Sequence, residues 1–345
     1  MSRIETVAET PESLAGLASV NPPEKKLTVT GLHDFLAMEL PTREQILSPW
    51  LLSQSLNMIH GWRGKGKTHV AVGVGYAVAS ASSFLNWQAE KPHKVLLVDG
   101  EMPAIALQER LSQIIISNDR EPENGFLTLV TPDLQEAGMP DLASSSGQSV
   151  VNTAIDQTGA ELVILDNLSC LVRGTEKEND ASSWVKLQTW ALQQRQAGRS
   201  ILFIHHSGKS GQQRGTSKRE DVLDTVLALR SPPDYDPESG ACFEVHFEKA
   251  RHLFGTDVSP FEARLTTDAN GLQSWACRSA NLATFDRVVA LANEGLSQSE
   301  IANELELNRS TVSRAWRKAD QQNLLAIKAS RKGKNQHKNG EIFNG

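Results

Sequence analysis

The 345 residues include 39% hydrophobic and 22% charged side chains, enough apolar content for one large core and a smaller second one. A net charge of −6 excludes a surface coated throughout for nucleic acid, yet the balance reverses after Asn308, where Arg309, Arg314, Arg317, Lys318, Lys328, Arg331, Lys332, Lys334 and Lys338 face only Asp320 and Glu341. Cys170, Cys242 and Cys277 are too few and too scattered for a disulfide framework or a CxxC zinc site, and with no signal-type N-terminus or apolar run of about 18 residues the expectation is a cytoplasmic protein with no membrane contact.

Residues 1–30, with Pro11, Pro22 and Pro23, lack sustained periodicity and are expected to form a flexible arm. Folding is expected to begin near Leu32. The apolar run at 56–59 predicts a strand, and residues 61–68 follow it with glycines at Gly61, Gly64 and Gly66, then Lys67 and Thr68. That spacing is a phosphate loop: glycine permits positive φ, so successive N–H groups converge on a phosphate at a helix N-terminus. Lys67 would reach the β- and γ-phosphates and Thr68 a magnesium ion. The ligand implied is ATP with Mg2+, and the binding set is Gly61, Gly64, Lys65, Gly66, Lys67, Thr68 and His69. The small-residue run at 70–79 then predicts a tightly packed helix.

Short apolar runs at 95–98, 127–130, 162–165, 201–204 and 226–229 predict buried parallel strands with crossover helices. The alternating run at 243–247 predicts an antiparallel edge strand, reached through the proline-rich 231–240. Trp184, Leu187 and Trp190 have the spacing of a crossover helix packed on the sheet. Three strand ends carry polar groups to one edge. Asp166 follows the third run and is placed to hold magnesium, Glu101 follows the first and would polarise the attacking water, with Asp99 competing for that role, and His205-His206 follow the fourth. Of two adjacent histidines, one would face the site and the other pack away.

The order of phosphate loop, Asp99-Gly100-Glu101, Asp166 and His205-His206 resembles RecA-type ATPases, most closely the RepA-like ring helicases of small plasmids and their AAA_25 relatives, over residues 35–265. The resemblance implies Glu101 as catalytic base, Lys67 and Thr68 on phosphate and magnesium, Asp166 as the magnesium carboxylate, and one of His205 and His206, His206 being the one assigned, as γ-phosphate sensor. It further implies a homo-oligomeric ring, a hexamer, whose sites are completed by cations from the neighbouring subunit. Arg214 matches the RepA-type arginine finger, while Lys249 and Arg251 resemble the Lys-x-Arg element of the replicative-helicase branch. Loops at 173–177 and 207–211 would line a channel for single-stranded DNA, or remain surface loops without a ligand.

After a break in pattern at 266–281, residues 296–312 resemble a helix-turn-helix. Ser297 and Glu300 form a capping box, Gly295 ends the preceding helix, Asn308 can cap the next, and Ile301, Ala302, Leu305, Leu307 and Val312 supply a small core. Glu306 stands where glycine is usual, so a longer or winged turn is expected. Arg309, Ser310, Thr311 and Arg314 would meet base edges of duplex DNA, and Arg317 and Lys318 its phosphates; protein contact is the alternative use of such a module. Trp316 is assigned to the core.

The expected fold is thus α/β, a RecA-like P-loop NTPase with a mostly parallel central sheet at 31–275, a small all-α helix-turn-helix domain, with or without a wing, at 280–330, and a basic tail at 331–345. The expected function is a DNA-dependent ring ATPase acting as a replicative helicase of a plasmid, phage or other mobile element. The alternatives are an ATP-switched DNA-binding regulator, or a loader or partition factor without unwinding activity.

Overall fold

The computed structural model describes residues 27–173, 181–207, 220–232, 235 and 240–326. The chain divides into two units, Met1–Thr42 and Arg43–Gly345. Within the described part of the first lies one short helix, α1 (Leu32–Ala37), none of whose residues is buried.

The second unit opens with two short paired strands, β1 (Gln45–Leu47) and β2 (Leu51–Leu52), then β3 (Leu56–Gly61), which leads through the phosphate loop into α2 (Lys67–Ser80). A small hairpin, β4 (Ser83–Phe84) and β5 (Trp87–Gln88), precedes β6 (Val95–Asp99), α3 (Ala104–Ile116) and β7 (Leu127–Val130). Next come α4 (Ser145–Thr158), β8 (Leu162–Asp166), the single turn α5 (Leu168–Leu171), α6 (Ala181–Gln196) and β9 (Ser200–His206). The sheet is completed by β10 (Thr225–Arg230), β11 (Cys242–Ala250), β12 (Phe261–Thr267) and β13 (Gln273–Ser279). Three helices close the described chain: α7 (Ala280–Asn293), α8 (Gln298–Glu304) and α9 (Arg309–Gln321).

Among the described residues the central sheet has nine strands in the order β13-β12-β11-β10-β3-β9-β8-β6-β7. From β10 to β7 every pair is parallel, whereas β10–β11, β11–β12 and β12–β13 are antiparallel. The parallel strands read as continuous apolar runs because helices cover both faces. On one face α2 buries Val70, Val74 and Ala77, and Leu107 of α3 joins the same core. On the other, Val151 and Ile155 of α4 meet Trp184, Leu187 and Trp190 of α6. The crossover helix foreseen from those tryptophans is therefore present, with Trp190 Nε1 donating to Asn152 Oδ1 at 2.8 Å. The chain is thus an α/β protein with a mostly parallel central sheet that continues into a helical module.

Two sequence expectations about the sheet need correction. The alternating run at 243–247 lies inside β11, which is an interior strand because β12 and β13 continue the sheet beyond it. Its alternation comes from a polar face occupied by Glu244, His246 and Glu248, with Phe243, Val245 and Phe247 turned to the core. The stretch 266–281, read as a break, holds the whole of β13, whose Trp275 and Cys277 pack inward while Ser274 and Ala276 stay exposed. The last strand thus runs past residue 275 and passes directly into α7.

The helical module has its own core of Val288, Ala292, Ile301, Ala302, Leu305 and Val312, with Trp316 packed against it as foreseen. Ser297 and Glu300 close the capping box, Glu300 Oε2 accepting from the Ser297 amide at 2.7 Å. No longer turn is needed between α8 and α9, because Glu306 itself takes the left-handed conformation at φ 49°. Asn308 occupies the N-cap position of α9 without a side-chain capping bond. After α9 the chain returns to α7, Asn293 Nδ2 donating to Leu324 O at 3.1 Å and the Ala326 amide to Asn293 Oδ1 at 2.8 Å. No strand forms at 322–326; the remainder of the expected wing and the basic tail lie outside the described residues.

Candidate functional site

The sheet register brings the polar strand ends level. Gly61 is paired with His206, and Asp99 with Asp166, so the loops leaving β3, β6, β8 and β9 open on one edge. Strand alternation then decides which histidine looks into it. His206 shares the α2 face with Leu202 and Ile204, whereas His205 points to the opposite face, with Ile201 and Phe203. A cleft of ≈ 540 Å³ opens here, lined by the phosphate loop with Thr68 and His69, by Asp99 and Glu101, by Asp166 and Asn167, and by His206.

Two glycines of the loop are sterically required. A Cβ on Gly61 would stand 2.8 Å from Leu229 O on the adjoining strand. Gly66, the N-cap of α2, has φ +76°, and a Cβ there would meet the Phe243 ring at 2.9 Å. The loop is thus seated against β10 and β11. Lys67 Nζ donates to Trp62 O at 2.9 Å. Burial pulls its ammonium down to about 8, against the attraction of Asp166 and Glu101. Lys65 lines the cleft and places its ammonium 4.5 Å from the centre of the Tyr235 ring.

The two acids that competed for one role occupy different environments. Asp99 is buried, and its Oδ1 accepts from the amides of Glu101 at 2.8 Å and Met102 at 2.9 Å. It shapes the turn. Glu101, with 61% of its side chain exposed, lies in the cleft, where Oε2 stands 3.7 Å from His206 Nε2 and accepts from Asn167 Nδ2. Burial lowers the pKa of His206, and the nearby Lys67 lowers it further.

Asp166 is buried and hydrogen-bonded to the Thr68 hydroxyl, and desolvation with repulsion from Asp99 pushes its carboxyl up to about 7. Its Oδ2 and the Oδ2 of Asp99 have no hydrogen-bond partner among the described residues. A buried, unsatisfied carboxylate oxygen beside a threonine hydroxyl and a phosphate loop fits a hard divalent cation. No group of three or more His, Cys, Asp or Glu that could hold a metal occurs among the described residues. Magnesium here would therefore rest on Thr68, Asp166 and the phosphate oxygens of the nucleotide.

Sequence reasoning missed Arg110 and Asn167. Arg110 reaches the cleft from α3, where Asp99 and Asp166 act on its charge; on an amphipathic helix nothing in its spacing distinguishes it from a surface cation. Asn167 directly follows Asp166, joined to it by a cis peptide bond, and its position just past a strand end was the available signal.

Of the candidate cations for a neighbouring subunit, only Lys249 and Arg251 fall within the described residues. Arg214 lies outside the described residues, as do 174–177 and 208–211 of the two expected channel loops. Lys249 and Arg251, at the end of β11, donate to the carbonyls of Glu220 and Asp221 and line no part of the cleft. On α9, Arg309, Ser310, Arg314, Arg317 and Lys318 are exposed and Thr311 is half-buried. Arg314 contacts Ser310 O at 3.3 Å and Thr311 Oγ1 at 3.4 Å, and Lys318 lies 4.8 Å over the Phe285 ring of α7.

Comparison with known proteins agrees with these two parts. The AAA_25 family, an AAA domain, matches residues 21–212, and a helix-turn-helix domain family, HTH_28, matches residues 287–335. No curated protein matches the chain. Among solved structures, a KaiC-like protein from the hyperthermophilic archaeon Pyrococcus horikoshii OT3 is similar at 14% identity and TM-score 0.47, over 67% of this chain and 94% of that one. No helix among the described residues is long and apolar enough to cross a membrane.

Proposed function

The chain belongs to the AAA_25 family of P-loop ATPases and carries a C-terminal helix-turn-helix domain, and from that premise we propose a DNA-dependent ring ATPase that acts as a RepA-like replicative helicase of a plasmid, phage or other mobile element, in the cytoplasm. The observation that carries the reading is the convergence of the phosphate loop, Glu101, Asp166 and His206 in one cleft, on a sheet that continues directly into the DNA-binding module.

The amides at the N-terminus of α2 and the Lys67 ammonium would receive the phosphates, since helix dipole and charge both favour an anion there. Thr68 and Asp166 would hold magnesium, which would supply positive charge to the phosphate oxygens. Glu101 would accept the proton of the attacking water, oriented by Asn167, while His206 beside it reads the γ-phosphate position. Ser207, next to His206, hydrogen-bonds His60 on β3 at 2.8 Å, so a shift of the sensor would be felt at the strand that feeds the phosphate loop. The placement of Lys249 and Arg251 away from their own cleft supports service to a neighbouring subunit in a ring, proposed as a hexamer; Arg214 is the other candidate. Single-stranded DNA would occupy the ring and duplex DNA the exposed face of α9.

One observation favours a second reading, an ATP-switched DNA-binding regulator. The helix-turn-helix is fastened to the sheet: buried Arg287 of α7 pairs with buried Glu262 of β12 and lies 3.6 Å from Glu244 of β11, while Arg278 of β13 bonds Glu262 at 2.9 Å. Such a junction would relay a nucleotide-dependent movement of β11 to the DNA-binding helix. ATP-requiring displacement of one strand from a forked duplex separates the readings: the helicase unwinds, and the regulator shows ATP-dependent duplex affinity with no unwinding.

A further inference from the structure

The ladder between β10 and β11 is interrupted at one residue. Its register steps from Val226 opposite Lys249 to Leu227 opposite Phe247, so Glu248 has no opposite residue and is held through its side chain. Glu248 Oε2 lies 2.8 Å from His60 Nε2, and Oε1 accepts from Arg230 at 3.0 Å. His60 is buried on β3, on the sheet face that carries Leu56 and Met58, and its Nδ1 lies 2.8 Å from the Oγ of buried Ser207. A carboxylate only accepts, so Nε2 donates to Glu248, and Nδ1 of the neutral ring accepts from the Ser207 hydroxyl. Ser207 is also fixed to β3 by its backbone, its amide donating to Gly61 O at 3.1 Å.

Both ends of this chain of contacts reach residues to which the proposed function gives roles. Ser207 directly follows His206, and because successive strand side chains point to opposite faces, a movement of His206 in the cleft is carried through the sheet to Ser207 and His60. At the other end, Glu248 directly precedes Lys249, with Arg251 two residues further on, and both cations rest on backbone carbonyls, those of Glu220 and Asp221. A neutral carbonyl holds a cation less firmly than a carboxylate does, so these contacts can be exchanged for a phosphate. We propose that His60 is a positioning residue that ties the γ-phosphate sensor of one cleft to Glu248, and so sets the reach of Lys249 and Arg251 into the neighbouring cleft. The assignment rests on the reading of Lys249 and Arg251 as cations supplied between subunits, and adds the contact by which the state of one cleft acts on the next.

The test is steady-state phosphate release by mixtures of two full-chain variants with magnesium-ATP. Lys67→Ala supplies cations but has a dead cleft, and Arg251→Ala has an intact cleft but lacks the cation. His60→Leu is then added to one member or the other. On the Lys67→Ala member it should lower the recovered turnover about tenfold or more, since misplacing a group that acts in the transition state by about an ångström can cost about 100-fold. On the Arg251→Ala member it should change turnover by less than about twofold, whereas a merely structural role would lower both alike. Glu248→Ala and Glu248→Gln on the Lys67→Ala member stand if His60→Leu fails to fold: the amide keeps an acceptor for His60 and should retain most of the turnover that Glu248→Ala loses. Equal loss on the two members, no loss on either, or equal turnover with Glu248→Ala and Glu248→Gln overturns the role of His60 while the shared cleft stands. Arg251→Ala that is active alone, or a parent mixture without recovery, removes the shared-cleft reading and this assignment together.

Discussion

Glu101 and Lys67 share one cleft but are held in different ways, and their substitutions should have different consequences. Lys67 is buried against the loop and carries the charge that phosphate needs; Lys67→Ala should lower phosphate release by more than about 100-fold and weaken ATP binding as well. Glu101 is exposed and oriented by Asn167, so Glu101→Gln should cost about 100-fold or more in turnover with ATP affinity nearly unchanged. Parallel measurement of binding and steady-state hydrolysis checks both; equal loss of ATP affinity in the two variants would contradict the division. On the other face, His60 Nε2 lies 2.8 Å from Glu248 Oε2, and Arg230 stands 3.0 Å from the other oxygen. These partners, with the His60 hydrogen bond foremost, lower the Glu248 pKa from its ordinary 4.5. A depressed carboxylate stabilises the fold fully above its unfolded pKa, and that stability is lost as the pH falls through the folded value. Glu248→Gln should therefore be less stable than wild type at pH 7 and show a shallower loss of stability below about pH 4.5, read from denaturant midpoints across pH.

At the scale of elements, α9 presents its basic residues away from the core formed by Val312, Ala315 and Trp316. Arg309→Ala or Arg314→Ala should each cost about 1–3 kcal/mol against the preferred duplex and relax its sequence preference, whereas Arg317→Ala should weaken all duplexes alike and reduce the salt slope by about one. Titration by fluorescence anisotropy at several salt concentrations distinguishes the two effects. The junction between β12 and α7 is a buried ion pair, and removing Arg287 leaves buried Glu262 with the partly exposed Arg278 as its remaining ionic partner. Arg287→Met should therefore destabilise the chain by about 3 kcal/mol, the low end for a buried pair, seen as a lower urea midpoint; an unchanged midpoint would mean that the pair contributes nothing to the junction.

The elements also show how much of this was legible in the residues. The phosphate loop, the parallel strands and the capping box were readable because each is specified locally, by glycine spacing, by continuous apolar runs and by a Ser-x-x-Glu signal. β13 was not, because Gln273, Ser274 and Arg278 interrupt a strand whose only inward aromatic is Trp275. That strand is held by the register of β12 rather than by its own propensity. Glu306 misled for a related reason: tertiary context imposes a left-handed φ that glycine would ordinarily take. Within the site, the choice of His206 over His205 needed the alternation of β9 relative to α2, and Asp99 could be separated from Glu101 only once its oxygen was seen to accept two backbone amides.

On the proposed function, the whole molecule joins a nucleotide cleft through a continuous sheet to a helix that would read DNA, and copies of the chain would complete one another's clefts. Lys249 and Arg251 belong, in that account, to the neighbouring cleft. Arg251→Ala should bind ATP and fail to turn it over, and mixing it with Lys67→Ala protein should restore part of the activity; no recovery in mixed assemblies would contradict a shared site. The most direct measurement is ATP hydrolysis by the full chain with magnesium, alone and with single-stranded or duplex DNA. Turnover that rises more with single-stranded than with duplex DNA and disappears in Lys67→Ala is the predicted result. Absence of ATP turnover under all three conditions, or turnover indifferent to Lys67→Ala, would contradict it.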